Sequence, residues 1–120
     1  NYLEVLRDKR EVGARVAIIG AGGIGFDVAE YLTQQGESAS LNPTRFFAEW
    51  GVDTAYQQAG GLCQAQPEKP ARQVVLLQRK ASKVGDGLGK TTGWIHRTGL
   101  KHRGVKMLAG VSYDKIDDAG

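Results

Sequence analysis

The chain has 120 residues, of which 41% are hydrophobic and 24% charged, a composition that predicts one small globular domain and excludes a disordered tail. No apolar run approaches the roughly 18 residues that span a bilayer, and residues 1–4 lack the basic-then-apolar layout of a signal peptide, so we expect a cytoplasmic protein. The chain has a single cysteine, Cys63, which excludes a disulfide scaffold. With only His96 and His102 as further ligands, it also cannot form a zinc module.

The first third of the chain predicts a strand that leads into a helix. Residues 2–11 offer a short amphipathic helical segment ahead of it. The compact apolar run 16–19 ends at a glycine and is typical of a strand buried on both faces. Residues 23–35 carry apolar side chains at helical spacing, and Gly36 is suited to end that helix. The apolar stripe of the helix consists of Ile24, Val28 and Leu32.

Segment 36–73 has no such periodicity. It contains all three prolines of the chain and a Gly-Gly pair, and it is much longer than the roughly 2–6 residues that usually connect a helix to the next strand. We interpret it as an irregular but ordered insertion, with one or two helical turns around residues 44–50.

The remainder of the chain predicts further strands with a helix between them. The apolar run at 74–77 is typical of a buried strand, residues 105–108 predict a third strand, and the alternation at 111–116 predicts a fourth. A helix is expected over 91–103, with Trp94, Ile95 and Thr98 on one side. The order strand, helix, strand, helix, strand predicts an α/β domain: a right-handed, Rossmann-like βαβαβ unit with a parallel sheet in three layers.

The motif that carries chemistry is Gly-Ala-Gly-Gly-Ile-Gly at 20–25, which fits the dinucleotide-binding pattern G-x-G-x-x-G. It follows a predicted strand and opens a predicted helix, the context that the pattern requires. Gly20 would make the tight turn, Gly22 would leave room for a pyrophosphate, and Gly25 would let helix and strand pack closely. The free N–H groups and the positive end of the helix dipole would then receive the diphosphate. The alternative is a glycine-rich turn that binds nothing.

The end of the second strand indicates which dinucleotide is bound. Sites for NAD or FAD usually carry Asp or Glu there, to accept a hydrogen bond from the ribose 2′-hydroxyl. This strand instead runs into Gln78, Arg79 and Lys80, so two cations stand where a 2′-phosphate would bind, with Lys83 close behind. We therefore expect NADPH. The insertion 36–73 accounts for a spacing longer than the usual 20 residues or so.

The net charge of +3 conceals an uneven distribution. Residues 79–106 contain eight basic side chains against one acidic, a net +7, and the rest of the chain carries −4. Such asymmetry predicts an anionic partner for one face. A solvated basic helix is an alternative. A nucleic-acid site is disfavoured because Trp94 is the one aromatic residue in this stretch.

Two other patterns do not carry a function. The segment 85–91 resembles a phosphate-binding P-loop but is one residue too short for G-x-x-x-x-G-K-[ST], so we interpret Lys90 as a surface cation near the cofactor. His96 and His102 are six residues apart, which places them on different faces of a helix, and Cys63 has no neighbouring base in the sequence. We assign no catalytic and no metal-binding residues, and we expect the reacting partner to lie elsewhere.

The sequence closely resembles the NADPH-binding domain of bacterial NADPH-dependent 2,4-dienoyl-CoA reductases, across nearly its whole length. The most specific strings are LQRKASK at 77–83 and GLGKTTGWIHR at 87–97. The other matching segments are 16–27, 49–53, 57–62 and 110–113.

The resemblance implies a fragment of a larger enzyme, with residues 1–120 forming its single NADPH-binding domain. Such enzymes carry an FMN-binding barrel with the substrate site, a 4Fe–4S cluster, and an FAD domain into which the NADPH domain is inserted. NADPH reduces FAD, and electrons pass through the cluster to FMN, which reduces the dienoyl thioester in fatty-acid β-oxidation. The expected partners are these FAD and FMN domains, with no nucleic acid and no membrane. The resemblance assigns cofactor binding to Gly20, Gly22, Gly23, Ile24, Gly25, Arg79 and Lys80.

Three alternatives stay open. The first is an NAD(P)H-binding domain of a related flavoprotein, of the NADH oxidase or amine dehydrogenase type, although the string at 90–97 argues against it. The second is a fragment that binds FAD. The third is a non-enzymatic anion-binding module that uses the basic segment 79–106.

Overall fold

The computed structural model describes residues 1–118 and contains three strands and four α-helices in that range. The strands are β1 (Arg15–Ile19), β2 (Gln73–Leu77) and β3 (Lys106–Leu108). The helices are α1 (Tyr2–Leu6), α2 (Gly23–Thr33), α3 (Pro43–Trp50) and α4 (Gly93–His102), with short 3-10 turns at Ala39–Leu41 and Ala59–Gly61.

The three strands form one parallel sheet in the order β1-β2-β3. At the carboxyl end, Ile19 is paired with Leu77, and Leu77 is paired with Leu108. Helix α2 connects β1 to β2 and α4 connects β2 to β3, so the alternating order predicted for these elements is confirmed. The predicted fourth strand is wrong. Residues 111–117 form no strand, and Ile116 is 88% exposed, because an alternating pattern makes a strand only where a neighbouring strand accepts it.

The hydrophobic core lies on one face of the sheet. Val74 and Leu76 of β2 pack there with Leu32 of α2 and Leu100 of α4. The helices α1, α2 and α4 all contribute side chains to this one core, so residues 1–118 form two layers where three were expected.

The opposite face of the sheet is apolar but uncovered by the described residues. We call it the open sheet face. Ile19 is 54% exposed, so the prediction of a first strand buried on both faces is wrong. A continuous apolar run predicts burial on both sides only when a second layer of helices is present. The apolar residues of the open sheet face are Ala17, Ile19, Val75, Leu77 and Leu108, and Lys106 lies beside Val75 on the same face.

Helix α2 is confirmed, with a different buried stripe from the one predicted. Val28 and Leu32 are buried as expected, together with Phe26 and Ala29. Ile24 is 52% exposed, because it lies in the first turn, at the edge of the sheet and ahead of the core residues. The helix ends at Thr33, whose hydroxyl donates to the carbonyl oxygen of Ala29 at 2.8 Å.

The helix expected around residues 44–50 is confirmed as α3. The Asn42 side chain caps it by accepting from the Arg45 N–H at 3.1 Å, and Pro43 occupies its first turn. It ends at Gly51, whose φ of 69° lies in the left-handed region. Arg45 then fixes the surrounding chain through an ion pair with Glu68.

Helix α4 is also confirmed, one or two residues shorter than predicted at each end. Of its residues Leu100 and Gly93 are buried, whereas Trp94 and Ile95 are exposed. Within residues 1–118, no helix combines the length and apolar character needed to cross a membrane.

Candidate dinucleotide-binding site

The candidate site lies at the carboxyl edge of the sheet, where the loops after the three strands meet. The Gly20 N–H donates to the carbonyl oxygen of Leu77 at 2.9 Å, and the Gln78 N–H donates to that of Leu108 at 2.8 Å. Each loop therefore begins hydrogen-bonded to the strand beside it. Ligands of open parallel sheets bind at this edge.

The loop between β1 and α2 has the backbone geometry that its glycines permit. Gly20 has a φ of 106°, which side chains rarely tolerate. A Cβ at Gly25 would overlap the carbonyl oxygen of Gly20, so only glycine allows α2 to start this close to β1. A Cβ at Gly22 or Gly23 would meet no atom within 4 Å, so both positions face open space.

The amino terminus of α2 presents unpaired donors to that space. Its first intrahelical hydrogen bond runs from the Phe26 N–H to the Gly22 carbonyl oxygen at 3.1 Å. The N–H groups of Gly23, Ile24 and Gly25 precede that bond, and Gly22 supplies no side-chain cap. Together with the positive end of the helix dipole, these donors make a site for an anionic group.

The two predicted cations lie on the loop that follows β2, the strand adjacent to β1. The side chains of Arg79 and Lys80 are exposed, and within residues 1–118 they form no ion pair or hydrogen bond with protein atoms. Lys83 is exposed on the same loop. The structure thus brings the backbone of all seven predicted residues to one edge of the sheet, in the loop and first turn of α2 that follow β1 and in the loop that follows β2.

The glycine-rich segment before α4 has a packing role that the sequence does not reveal. A Cβ at Gly85 would lie 2.7 Å from Cζ of Phe26, so glycine lets this loop rest on the first turns of α2. Arg97 donates to the Gly85 carbonyl oxygen at 2.9 Å and holds the loop from the other side. Lys90 is exposed.

The cations of the basic segment 79–106 are spread along the path of α4. Helix α4 crosses from the carboxyl edge of the sheet back to the amino edge, so its charges separate between the two ends. Arg79 and Lys80 lie at the carboxyl edge, whereas Lys101 lies in the last turn of α4 and Lys106 is paired with Val75, in the middle of β2. This separation leaves the cations of the β2 loop as a local group.

His102, the last residue of α4, lies at the far end of that helix from this edge. The rings of Trp50 and His102 are 5.7 Å apart, beside a cleft of about 200 Å³ between α2, α3 and α4. Cys63 is exposed. Among residues 1–118, no three His, Cys, Asp or Glu side chains are grouped to hold a metal ion.

One residue that sequence reasoning passed over is part of the candidate site. Gln78 was noted only as the place where a carboxylate is missing. In the structure its half-buried side chain donates two hydrogen bonds within its own loop. No pattern in the sequence marks this role, because it depends on how the loop turns.

The sequence matches no model of a known protein family.

Proposed function

We propose that this chain is the NADPH-binding domain of a flavoprotein reductase of the 2,4-dienoyl-CoA reductase type, with a Rossmann-like fold. One observation carries the proposal: a glycine loop with open space at Gly22 begins α2 beside a loop that exposes two cations, Arg79 and Lys80, which have no ion-pair partner among residues 1–118. A dinucleotide with a third phosphate is the ligand that needs both features.

The residues fit NADPH in two places. The N–H groups at 23–25 would hold the diphosphate, since they have no intrahelical partner. The Arg79 guanidinium would grip the 2′-phosphate through two parallel hydrogen bonds, and Lys80 would add a point charge. No carboxylate stands at 78–80 to favour the free 2′-hydroxyl of NADH.

In the proposed enzyme, bound NADPH would supply a hydride to FAD in the neighbouring domain. The electrons would then pass through the iron–sulfur cluster to FMN. This chain's own task is to bind and orient the nucleotide. We therefore expect the isolated chain to bind NADPH without turning over a substrate.

A titration of the purified chain with NADPH and with NADH tests the proposal, with Trp50 and Trp94 fluorescence as the readout. We expect tighter binding of NADPH, and we expect Arg79→Ala to weaken NADPH binding about 10- to 100-fold while NADH binding changes little. Losing a charged hydrogen-bond partner costs about 1.5–3 kcal/mol, and about 1.4 kcal/mol is a factor of ten. Lys101→Ala, which removes an exposed cation in the last turn of α4, is the control and should leave both affinities unchanged.

A second substitution separates this proposal from the other classes. Gly22→Val places a side chain in the open space and should abolish binding of both nucleotides while the circular dichroism spectrum stays unchanged. Equal affinities of the unmodified chain for NADPH and NADH would contradict the assignment of Arg79 and Lys80. A yellow purified protein would identify an FAD-binding fragment instead.

A further inference from the structure

The side chain of Gln78 closes the loop that follows β2, which we call the β2 loop (residues 78–83). Its amide nitrogen Nε2 donates to the carbonyl oxygen of Lys80 at 3.0 Å and to that of Ser82 at 2.9 Å. An amide NH₂ group has two donor hydrogens, so both are committed to this loop. One side chain thus ties together the segment that carries the predicted cations.

The same loop is fixed from outside by the backbone that follows β3. The Val111 N–H donates to the carbonyl oxygen of Gln78 at 3.1 Å, and the Gly110 N–H donates to that of Lys80 at 2.9 Å. The Lys80 carbonyl oxygen therefore accepts two hydrogen bonds, one from Gln78 and one from Gly110. The backbone of the β2 loop is held at its start and at its middle.

This arrangement fixes the backbone and leaves the cationic side chains unpaired. Arg79 lies between Gln78 and Lys80 in the chain, within the turn that Gln78 closes. Lys80 supplies one of the two carbonyl oxygens that accept from the Gln78 side chain. Within residues 1–118 their side chains make no ion pair. A loop that is already ordered loses less conformational entropy when its side chains bind a ligand.

We infer that Gln78 is a positioning residue, which holds Arg79 and Lys80 for the 2′-phosphate and so contributes to the preference for NADPH over NADH. The inference rests on the proposed function. Its effect falls on NADPH alone, because the diphosphate is assigned to the glycine loop at 20–25 and only NADPH carries the phosphate that the β2 loop receives.

Gln78→Met tests the inference, since it keeps the length of the side chain and removes both donors. We expect the dissociation constant for NADPH to rise about 3- to 10-fold, and that for NADH to change less than about twofold. The matched control is Gln73→Met, the same change at the exposed start of β2, which should leave both constants unchanged. Gln78→Leu, which removes both donors without adding a charge, serves if the methionine variant does not fold.

Limited trypsin digestion supplies a second readout that needs no nucleotide. Trypsin cuts after Arg79, Lys80 and Lys83, and Gln78→Met should speed cleavage at these bonds relative to Gln73→Met. A fall in NADPH preference without faster cleavage would overturn the inference, because the loss would not come from a loosened loop.

The nucleotide outcomes separate the inference from the proposed function. If the unmodified chain prefers NADPH and Gln78→Met keeps that preference, or loses both nucleotides equally, the inference fails and the proposed function stands. If the unmodified chain shows no preference, the proposed function fails and the inference fails with it.

Discussion

Asp53 organises the turn after α3 through its carboxylate. The carboxylate accepts backbone N–H groups from Gln58 at 2.7 Å, Ala55 at 3.0 Å and Gln57 at 2.6 Å. These hydrogen bonds, that of Gln58 foremost, lower the pKa of Asp53 below its usual 3.8, because they favour the charged form. A single ionised side chain thereby gives an irregular turn its shape.

The lowered pKa predicts a pH dependence of this turn. Its contribution to stability is fully present above the unfolded pKa of 3.8 and is lost as the pH falls through the lower folded pKa. At neutral pH, Asp53→Ala should speed amide hydrogen exchange at Gln57 and Gln58, measured by NMR. Asp114→Ala, which removes an exposed carboxylate elsewhere, should leave both amides unchanged. Unaltered exchange in Asp53→Ala would show that the carboxylate does not hold the turn.

Helix α4 contains two glycines in different surroundings. A Cβ at Gly93 would lie 2.9 Å from the Cβ of Leu88, so this position depends on a close contact with the preceding loop. A Cβ at Gly99 would meet no atom within 4 Å. Substitution by alanine is therefore expected to change the stability of the protein differently at the two positions.

Gly99→Ala should stabilise the protein by about 0.5–1 kcal/mol, since alanine favours the helix interior and lowers the entropy of the unfolded chain. Gly93→Ala should give no such gain, because the new methyl group must displace Leu88. The free energy of unfolding in urea, followed by circular dichroism, measures both. A larger gain at Gly93 than at Gly99 would contradict the described packing.

The sequence predicted the elements that depend on local pattern. The apolar runs at 16–19 and 74–77 are strands, and the stretch that starts at Gly23 is a helix, because local hydrophobic periodicity is sufficient for these. The fourth strand at 111–116 was wrong, since pairing depends on a distant neighbour. The exposure of Ile19 was not predicted either, since it also depends on distant parts of the chain. Residues 1–118 supply no second layer of helices to cover that face of the sheet.

The candidate site was predictable to a similar extent. The glycine loop could be located because its strand-loop-helix context is contiguous in the sequence, and Arg79 and Lys80 because they follow the next strand directly. Gln78 could not, because its two acceptors are backbone carbonyls that any residue at 80 and 82 would provide. The separation of the basic segment likewise depends on the course of α4 across the sheet.

On the scale of the whole molecule, the sheet is packed on one side. Leu76 has 0% of its surface exposed, whereas Leu108 on the open sheet face is 47% exposed. The two residues are chemically identical and lie on adjacent strands. Leu108 is also the last residue of an edge strand, so its exposure reflects that position together with the lack of a helical layer over it within residues 1–118.

Substitution of both leucines by alanine checks this one-sided packing. Leu76→Ala should cost about 2–5 kcal/mol, from lost burial and from the cavity left in the core. Leu108→Ala should cost less than about 1 kcal/mol, since its side chain is half in water already. Chemical denaturation gives both free energies of unfolding. Equal losses would show that the open sheet face is covered in solution.

The pairing of β1 with β2 has a consequence for the kinetics of folding. Ile19 can pair with Leu77 only when the ends of the connecting segment 20–72 have been brought together. Such non-local parallel pairing is slow, because the entropy of loop closure is lost before the contact forms. The capped helix α3, the ion pair of Arg45 with Glu68 and the Asp53 turn are all formed within that segment. If these local contacts form early, they shorten the flexible part of the segment that must be closed between β1 and β2. The segment would then assist assembly of the sheet although it contributes no strand.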